Sequence, residues 1–274
     1  MSRIYSQAYL TAQASSAPDA IAHAGQLGYN FVGLRLLPNA PGGPHQRLLG
    51  DKALLRECQA RLADSGVGVF DLEIIRIGVG FDPNHYLPLL EAGAALQARA
   101  VLVAGDDPDL NRLSDQYAQL CALMQPYGMT ADLEFMPWTA VRNAQDALQV
   151  INTAGRPSNA GILVDALHVA RSQTSLSDIA ALPRELLHYA QICDAPTTNA
   201  QGSTDLSVDD MIHTARCERL LPAEGAIDLR GLFQALPPEL PISVEVPHHV
   251  RAQAVGDLAW SAQALAASRA LLDL

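Results

Sequence analysis

The chain has 274 residues, with 18 Lys and Arg against 29 Asp and Glu, for a formal net charge of −11 at pH 7. Apolar residues make up 49% and charged residues only 17%, enough for a sizeable core, which excludes a globally disordered chain. The acidic balance, with no cationic stripe, argues against a nucleic-acid partner, and no apolar run approaches the ~18 residues of a membrane span.

In chain order, short apolar runs alternate with helix-period segments. The first run, Ile4–Leu10, precedes a helix over Pro18–Leu27, which presents Ile21, Ala24 and Leu27 on one face behind Ser16 as cap. Phe31–Leu36 is followed by Lys52–Ala63, capped by Asp51, with Leu54, Leu55, Cys58 and Leu62 on one stripe. Gly68–Ile75 precedes a third helix opened by Asp82-Pro83 and carrying Leu87, Leu90 and Ala94. Ala100–Val103 leads to Leu110–Met124, and Thr130–Phe135 to Val141–Thr153. Gly161–Asp165, His188–Cys193 and Ile242–Val246 complete the strands, and Ala254–Leu272 closes the chain as a long helix. The longest irregular stretch runs from Ala195 to about Leu221 and reads as a binding loop or lid.

Most of these strands are continuously apolar, as strands buried on both faces are. Eight of them with helices between predict an α/β fold, a (β/α)₈ TIM barrel forming a single domain over residues 1–274. The doubly wound alternative lacks a G-x-G-x-x-G fingerprint after its first strand. Cys58, Cys121, Cys193 and Cys217 are scattered without a Cys-x-x-Cys pair, and the N-terminal residues MSRIYSQAYLTAQASSAP lack a sustained apolar stretch. Both features predict a cytoplasmic protein with reduced thiols and no signal peptide.

In a barrel of this kind chemistry collects where strands end. Strands five to eight end in Leu133-Glu134-Phe135, Val164-Asp165-Ala166, Ala190-Gln191-Ile192 and Val244-Glu245-Val246. Buried carboxylates in such number need a compensating cation. Glu134, Asp165, Glu245 and the amide oxygen of Gln191 can converge on one divalent ion, with Asp194 an alternative to Gln191. All-oxygen ligands favour Mn²⁺ or Mg²⁺, with Co²⁺ next; zinc, which prefers nitrogen and sulfur, matches less well. His168 is a candidate for a substrate contact or an acid. Glu73 and Arg76 read as an ion pair at the barrel mouth with no assigned role, and His248-His249 as loop caps. Arg219, or Arg216 beside it, is placed either to meet a phosphate or carboxylate or to be plain surface charge.

The motifs ADLEFMP, GILVDALHV, YAQICDAP, RLLPAEGAIDL and SVEVP resemble those of the xylose isomerase-like TIM barrel superfamily of sugar phosphate isomerases and epimerases. The resemblance extends from Ile4 to the terminal helix. It implies a divalent-metal site at Glu134, Asp165, Gln191 and Glu245, with the two glutamates as the acid/base pair. It also implies that His168 and Arg219 contact substrate, and that Pro222-Ala223-Glu224-Gly225 corresponds to the family's Pro-Gly-x-Gly loop, with Ala223 in place of glycine. Gln191 is closer to hydroxypyruvate isomerase than to the many ketose epimerases with histidine there.

The expected activity is isomerisation or epimerisation of a small sugar or polyhydroxy carbonyl compound, by glutamate-mediated proton abstraction through a metal-stabilised enediolate. The alternatives are dehydration of an inosose or dehydroshikimate-like substrate, with His168 as the acid, and a non-catalytic ligand-binding barrel. The expected partner is a small molecule, with neither nucleic acid nor membrane involved; a homo-oligomer stays open.

Overall fold

A computed structural model describes residues 3–172 and 174–273. Eight parallel strands close into a barrel in sequence order: β1 (Tyr5–Gln7), β2 (Phe31–Arg35), β3 (Gly68–Ile77), β4 (Ala100–Gly105), β5 (Thr130–Glu134), β6 (Ala160–Asp165), β7 (Ala190–Ile192) and β8 (Ile242–Val244), which returns to β1. The helices run outside it: α1 (Ala17–Leu27), α2 (Lys52–Ser65), α3 (Leu87–Ala95), α4 (Leu110–Met124), α5 (Ala144–Thr153), α6 (Ala166–Arg171), α7 (Leu176–Ala180), α8 (Val208–Cys217), α9 (Leu229–Ala235), α10 (His249–Val255) and α11 (Asp257–Leu272). Among the described residues no helix is long and apolar enough to cross a membrane.

The period-two geometry of a strand explains how the barrel carries both a core and a site. Val101, Val103, Ala131, Leu133, Ile162, Val164, Ile192 and Val244 lie in one large apolar cluster with the helices. The residues that alternate with them face inward. Ala100, Leu102, Ala104, Leu163 and Tyr189 pack with Phe70 as a smaller inner cluster. On β5 the inward positions belong to Asp132 and Glu134, so alternation itself directs the strand-five carboxylate into the barrel.

Caps define the helix starts. Ser16 accepts from the amide of Asp19, Asp51 from Ala53 and Leu54, Asp109 from Asn111 and Arg112, and Asn143 from Asp146. Asn143 also explains why α5 begins at Ala144, not at the expected Val141: the preceding residues form the turn that returns Met136 N–H to the Val141 carbonyl. The expected final helix over Ala254–Leu272 is two helices, because Gly256 adopts φ +82° between them. Strand one is shorter than Ile4–Leu10, since Tyr9–Ala12 forms a 3-10 turn. The 195–221 stretch, expected to be irregular, contains α8, which starts in a capping box of Ser207 and Asp210.

Candidate metal centre and active site

Glu134 ends β5, Asp165 ends β6, Gln191 lies on β7 and Glu245 follows β8, all at the C-terminal mouth. Each is essentially buried: Glu134 is 4% exposed, Asp165 and Gln191 0%, and Glu245 3%. Asp165 has a second role as the cap of α6, its Oδ1 accepting from the His168 amide at 3.0 Å. That one-turn helix carries the His168 imidazole back over the strand end, where Nε2 lies 3.5 Å from Glu134 Oε1. Ligand atoms of Glu134, Asp165 and His168 all lie within 4.8 Å of one another.

Arg219 holds the other half of the site. It is 2% exposed, and its guanidinium sits between Asp165 (Nη1 to Oδ2, 2.5 Å) and Glu245 (Nη2 to Oε2, 2.7 Å). Nε donates to the Ala215 carbonyl at 2.9 Å, and Nη1 also meets Cys193 Sγ at 3.3 Å. Gln191 donates from Nε2 to Glu245 Oε1 at 3.0 Å, which leaves its Oε1 buried without a partner. The mouth is a small cavity of about 60 Å³ whose lining includes Glu134, His168, Arg219 and Glu245 together with Arg35, Glu73, Arg76, Trp138 and Arg216, while Asp165 and Gln191 lie behind it.

The electrostatics follow from burial and crowding. Burial, together with the charges of Asp165 and Glu245, pushes the Glu134 carboxyl well above the usual carboxylate range. Burial pushes Glu245 up to about 8 against the pull of Arg219, with Glu73 and Asp165 adding to the rise. Burial pushes Asp165 up, but the Arg219 guanidinium, with help from His168 and the hydrogen bonds of both, outweighs that and holds it below its ordinary value. Burial lowers His168 to about 4; Asp165 opposes the shift and Arg219 adds to it, so the imidazole is neutral near pH 7.

These residues fit a divalent cation. Glu134, Asp165 and Glu245 carry three negative charges when ionised, and Arg219 returns one, so the excess matches a dication. Gln191, whose amide meets Glu245, has a buried Oε1 without a partner, a further hard donor beside that carboxylate. Glu245 lies outside the Glu134–Asp165–His168 group, across the Arg219 guanidinium, so the strand-end positions are tied together partly by an arginine. The nearby imidazole nitrogen widens the metals the site suits to include zinc.

Asp194, the alternative to Gln191, is committed elsewhere. Its Oδ1 accepts from the amides of Ala195 and Ile227, and its Oδ2 from Ala223, so it ties down the 221–227 loop. Glu73 and Arg76 do not pair with each other as expected. Glu73 meets Arg35 of β2 at 2.7 Å, and Arg76 makes two 2.7 Å bonds to Asp106 after β4. Strand geometry is the reason, since each residue is brought beside a neighbouring strand rather than beside its near-neighbour in sequence. His248 and His249 start α10, with the His248 ring edge-on to Trp260. Neither side chain caps that helix. Arg35 and Trp138 went unnoticed in the sequence, although Arg35 ends β2 as a charged residue inside an apolar run, the same signal that marks Glu134.

The sequence matches the xylose isomerase-like TIM barrel family over residues 21–271. No curated protein matches it. Among solved structures, the IolI protein with a bound zinc atom superposes with a TM-score of 0.78 at 16% identity, covering 98% of each chain. D-allulose 3-epimerase from Methylomonas sp., in complex with D-allulose, gives 0.70 at 14% identity over 98% of this chain and 97% of that one. The probable 3-DHS dehydratase AsbF from Bacillus anthracis gives 0.71 at 14%, covering 96% and 98%. At such identities the likeness is one of fold. The family match extends over most of the chain, and the closed barrel agrees with it: the protein belongs to the xylose isomerase-like TIM barrel family.

Proposed function

We propose that the protein is a divalent-metal-dependent isomerase or epimerase of a small polyhydroxy carbonyl compound. The observation that carries this reading is the pair of buried glutamates, Glu134 and Glu245, at the ends of β5 and β8 around the Asp165–Arg219 ion pair. Two carboxyl groups at one small cavity are what proton removal and return at adjacent carbons requires.

Glu134, Asp165, Gln191 and Glu245 would hold the metal, with His168 near enough to join them. When bound, the metal supplies Lewis-acid polarisation of the substrate carbonyl and offsets the negative charge that develops as the proton leaves. One glutamate takes the proton beside the carbonyl and the other returns one. Gln191 fixes the Glu245 carboxylate through its amide, and Arg219 grips the other oxygen, so Glu245 is held in one orientation at both atoms. His168, neutral near pH 7 and with Nδ1 unpartnered, is suited to hydrogen-bond a substrate hydroxyl. An imidazole lowered to about 4 is a poor general acid at neutral pH, which weighs against dehydration through His168.

The test is deuterium uptake from D₂O into a panel of small ketoses, keto forms of cyclic polyols and dehydroshikimate, read by mass spectrometry with Mn²⁺-loaded protein. Uptake next to the carbonyl that stops on chelation is expected. Loss of water from the substrate would overturn the isomerase reading in favour of a lyase, and no uptake across the panel would count against enolisation altogether. Glu245→Gln should lower uptake by about 10²-fold or more with an unchanged circular-dichroism spectrum; a variant with ordinary activity would remove Glu245 from the chemistry.

A further inference from the structure

Four arginines line the mouth cavity, and three of them are matched to carboxylates. Arg35 pairs with Glu73, Arg76 with Asp106, and Arg219 with Asp165 and Glu245. Arg216, in the last turn of α8, makes no hydrogen bond or ion pair among the described residues. The charges that bear on it from other elements are those of Arg76 and Arg35, both of its own sign. An unpaired cation beside two others at a cavity mouth leaves a positive potential there that favours an anion.

A second observation points the same way. Around the same cavity, Arg35 Nε and His168 Nδ1 are buried without partners, on residues 7% and 2% exposed, and Trp138 Nε1 is also unpartnered. Arg35 and Trp138 offer N–H groups there, and His168 can offer one as the Nδ1–H tautomer, with no protein acceptor to receive them. Unpaired buried donors of this kind select a ligand that brings acceptor oxygens.

We infer that the substrate of this site carries an anionic group, a carboxylate or a phosphate, which docks on Arg216 at the cavity mouth. The inference rests on the proposed reading for the location of the reacting carbons, but not for the recognition itself. Charge balance favours a single negative charge. A divalent metal offsets the excess of the Glu134, Asp165, Glu245 and Arg219 set, Arg35 and Arg76 have their own partners, and Arg216 alone is left over. A carboxylate meets that count, and its size suits a cavity of about 60 Å³. Arg216 is exposed and lies on a helix with few buried residues, so replacing it leaves the fold in place.

Isothermal titration of the Mn²⁺-loaded protein with glycerate, glycerol 3-phosphate and glycerol separates the cases, since the three share one carbon skeleton. Binding of at least one anion well above that of glycerol is expected, with the tighter anion identifying the group. Arg216→Gln should weaken that anion by about ten- to a hundredfold without affecting glycerol, and Arg216→Lys should recover part of the loss. Glycerol binding as tightly as both anions, or anion binding indifferent to Arg216→Gln, would overturn the inference. Deuterium uptake is the independent readout. Arg216-dependent anion binding without uptake would leave this inference standing and sink the proposed reaction, and uptake with no dependence on Arg216 would do the reverse.

Discussion

At the scale of single residues, Ala223 shows how a departure from a family pattern becomes a physical cost. It adopts φ +74°, the left-handed region where an L side chain crowds the following carbonyl, and its N–H is held by Asp194 Oδ2 at 3.1 Å. The glycine expected in this loop would take that conformation without strain. Ala223→Gly should therefore stabilise the protein by roughly 0.5–1 kcal/mol, the relief of about 1–2 kcal/mol being partly offset by the freer unfolded chain. Urea denaturation measures this; a loss of stability would mean that the loop draws support from the methyl group. The same loop carries Arg219 into the site through the paired Asp194 and Leu220 backbones, so its conformation bears directly on the ion-pair geometry.

At the scale of elements, the two ends of β5, β6 and β7 have divided roles. The C-terminal ends carry the candidate chemistry, and below them Asp132 is fully buried, accepting from Thr130 Oγ1 at 2.6 Å and meeting His188 Nδ1 at 2.7 Å. Gly161 makes room for this pair, since a Cβ there would lie 2.2 Å from Asp132 Oδ1 and 2.4 Å from His188 Nδ1. Burial lowers the His188 pKa, but the Asp132 carboxylate outweighs it and raises the group above its ordinary value. A raised histidine contributes stability that is fully present below the unfolded pKa of about 6.5 and is lost as pH rises through the folded value. Wild type should therefore exceed His188→Gln in Tm by most at pH 6, with the gap narrowing toward pH 9. A gap that widened with pH would mean that the neutral ring, and not the imidazolium, stabilises the fold.

Elements also show where sequence patterning succeeds. Strands and most helices were legible because parallel strands buried on both faces leave continuous apolar runs, and because Ser16, Asp51 and Asp109 are side-chain caps that announce a helix start. Helix α8 escaped although Val208, Met211, Ile212 and Ala215 recur at helical spacing behind Ser207, because the stripe is short and only Ala215 of it is buried, inside an otherwise polar stretch. The strand-end carboxylates could be listed from the sequence, and the structure gathers them at one mouth. What could not be read was their wiring. Arg219 lies 54 residues from Asp165, and the separate partners of Glu73 and Arg76 come from neighbouring strands, contacts that only barrel closure creates.

For the whole molecule, the balance of buried charge makes stability a readout of the candidate metal centre. Glu245 is raised to about 8 and Glu134 is raised as well, so without a divalent ion the folded state binds more protons than the unfolded one. The slope of stability with pH is then negative between the unfolded carboxyl pKa near 4.3 and the folded values. Chelated protein should accordingly lose stability as pH rises from about 5 to 8. A bound dication favours the ionised carboxylates, so Mn²⁺ or Zn²⁺ should bind more tightly as pH rises and flatten or reverse that slope. His188 adds a fall of its own over part of this range, and the two are separable because His188→Gln removes only the contribution insensitive to metal. Thermal denaturation of chelated and metal-loaded protein, in both backgrounds from pH 5 to 8, measures the difference. Metal-loaded and chelated curves that ran parallel would mean that no ion engages Glu134 and Glu245, and that arginines alone, Arg219 foremost, balance these buried carboxylates.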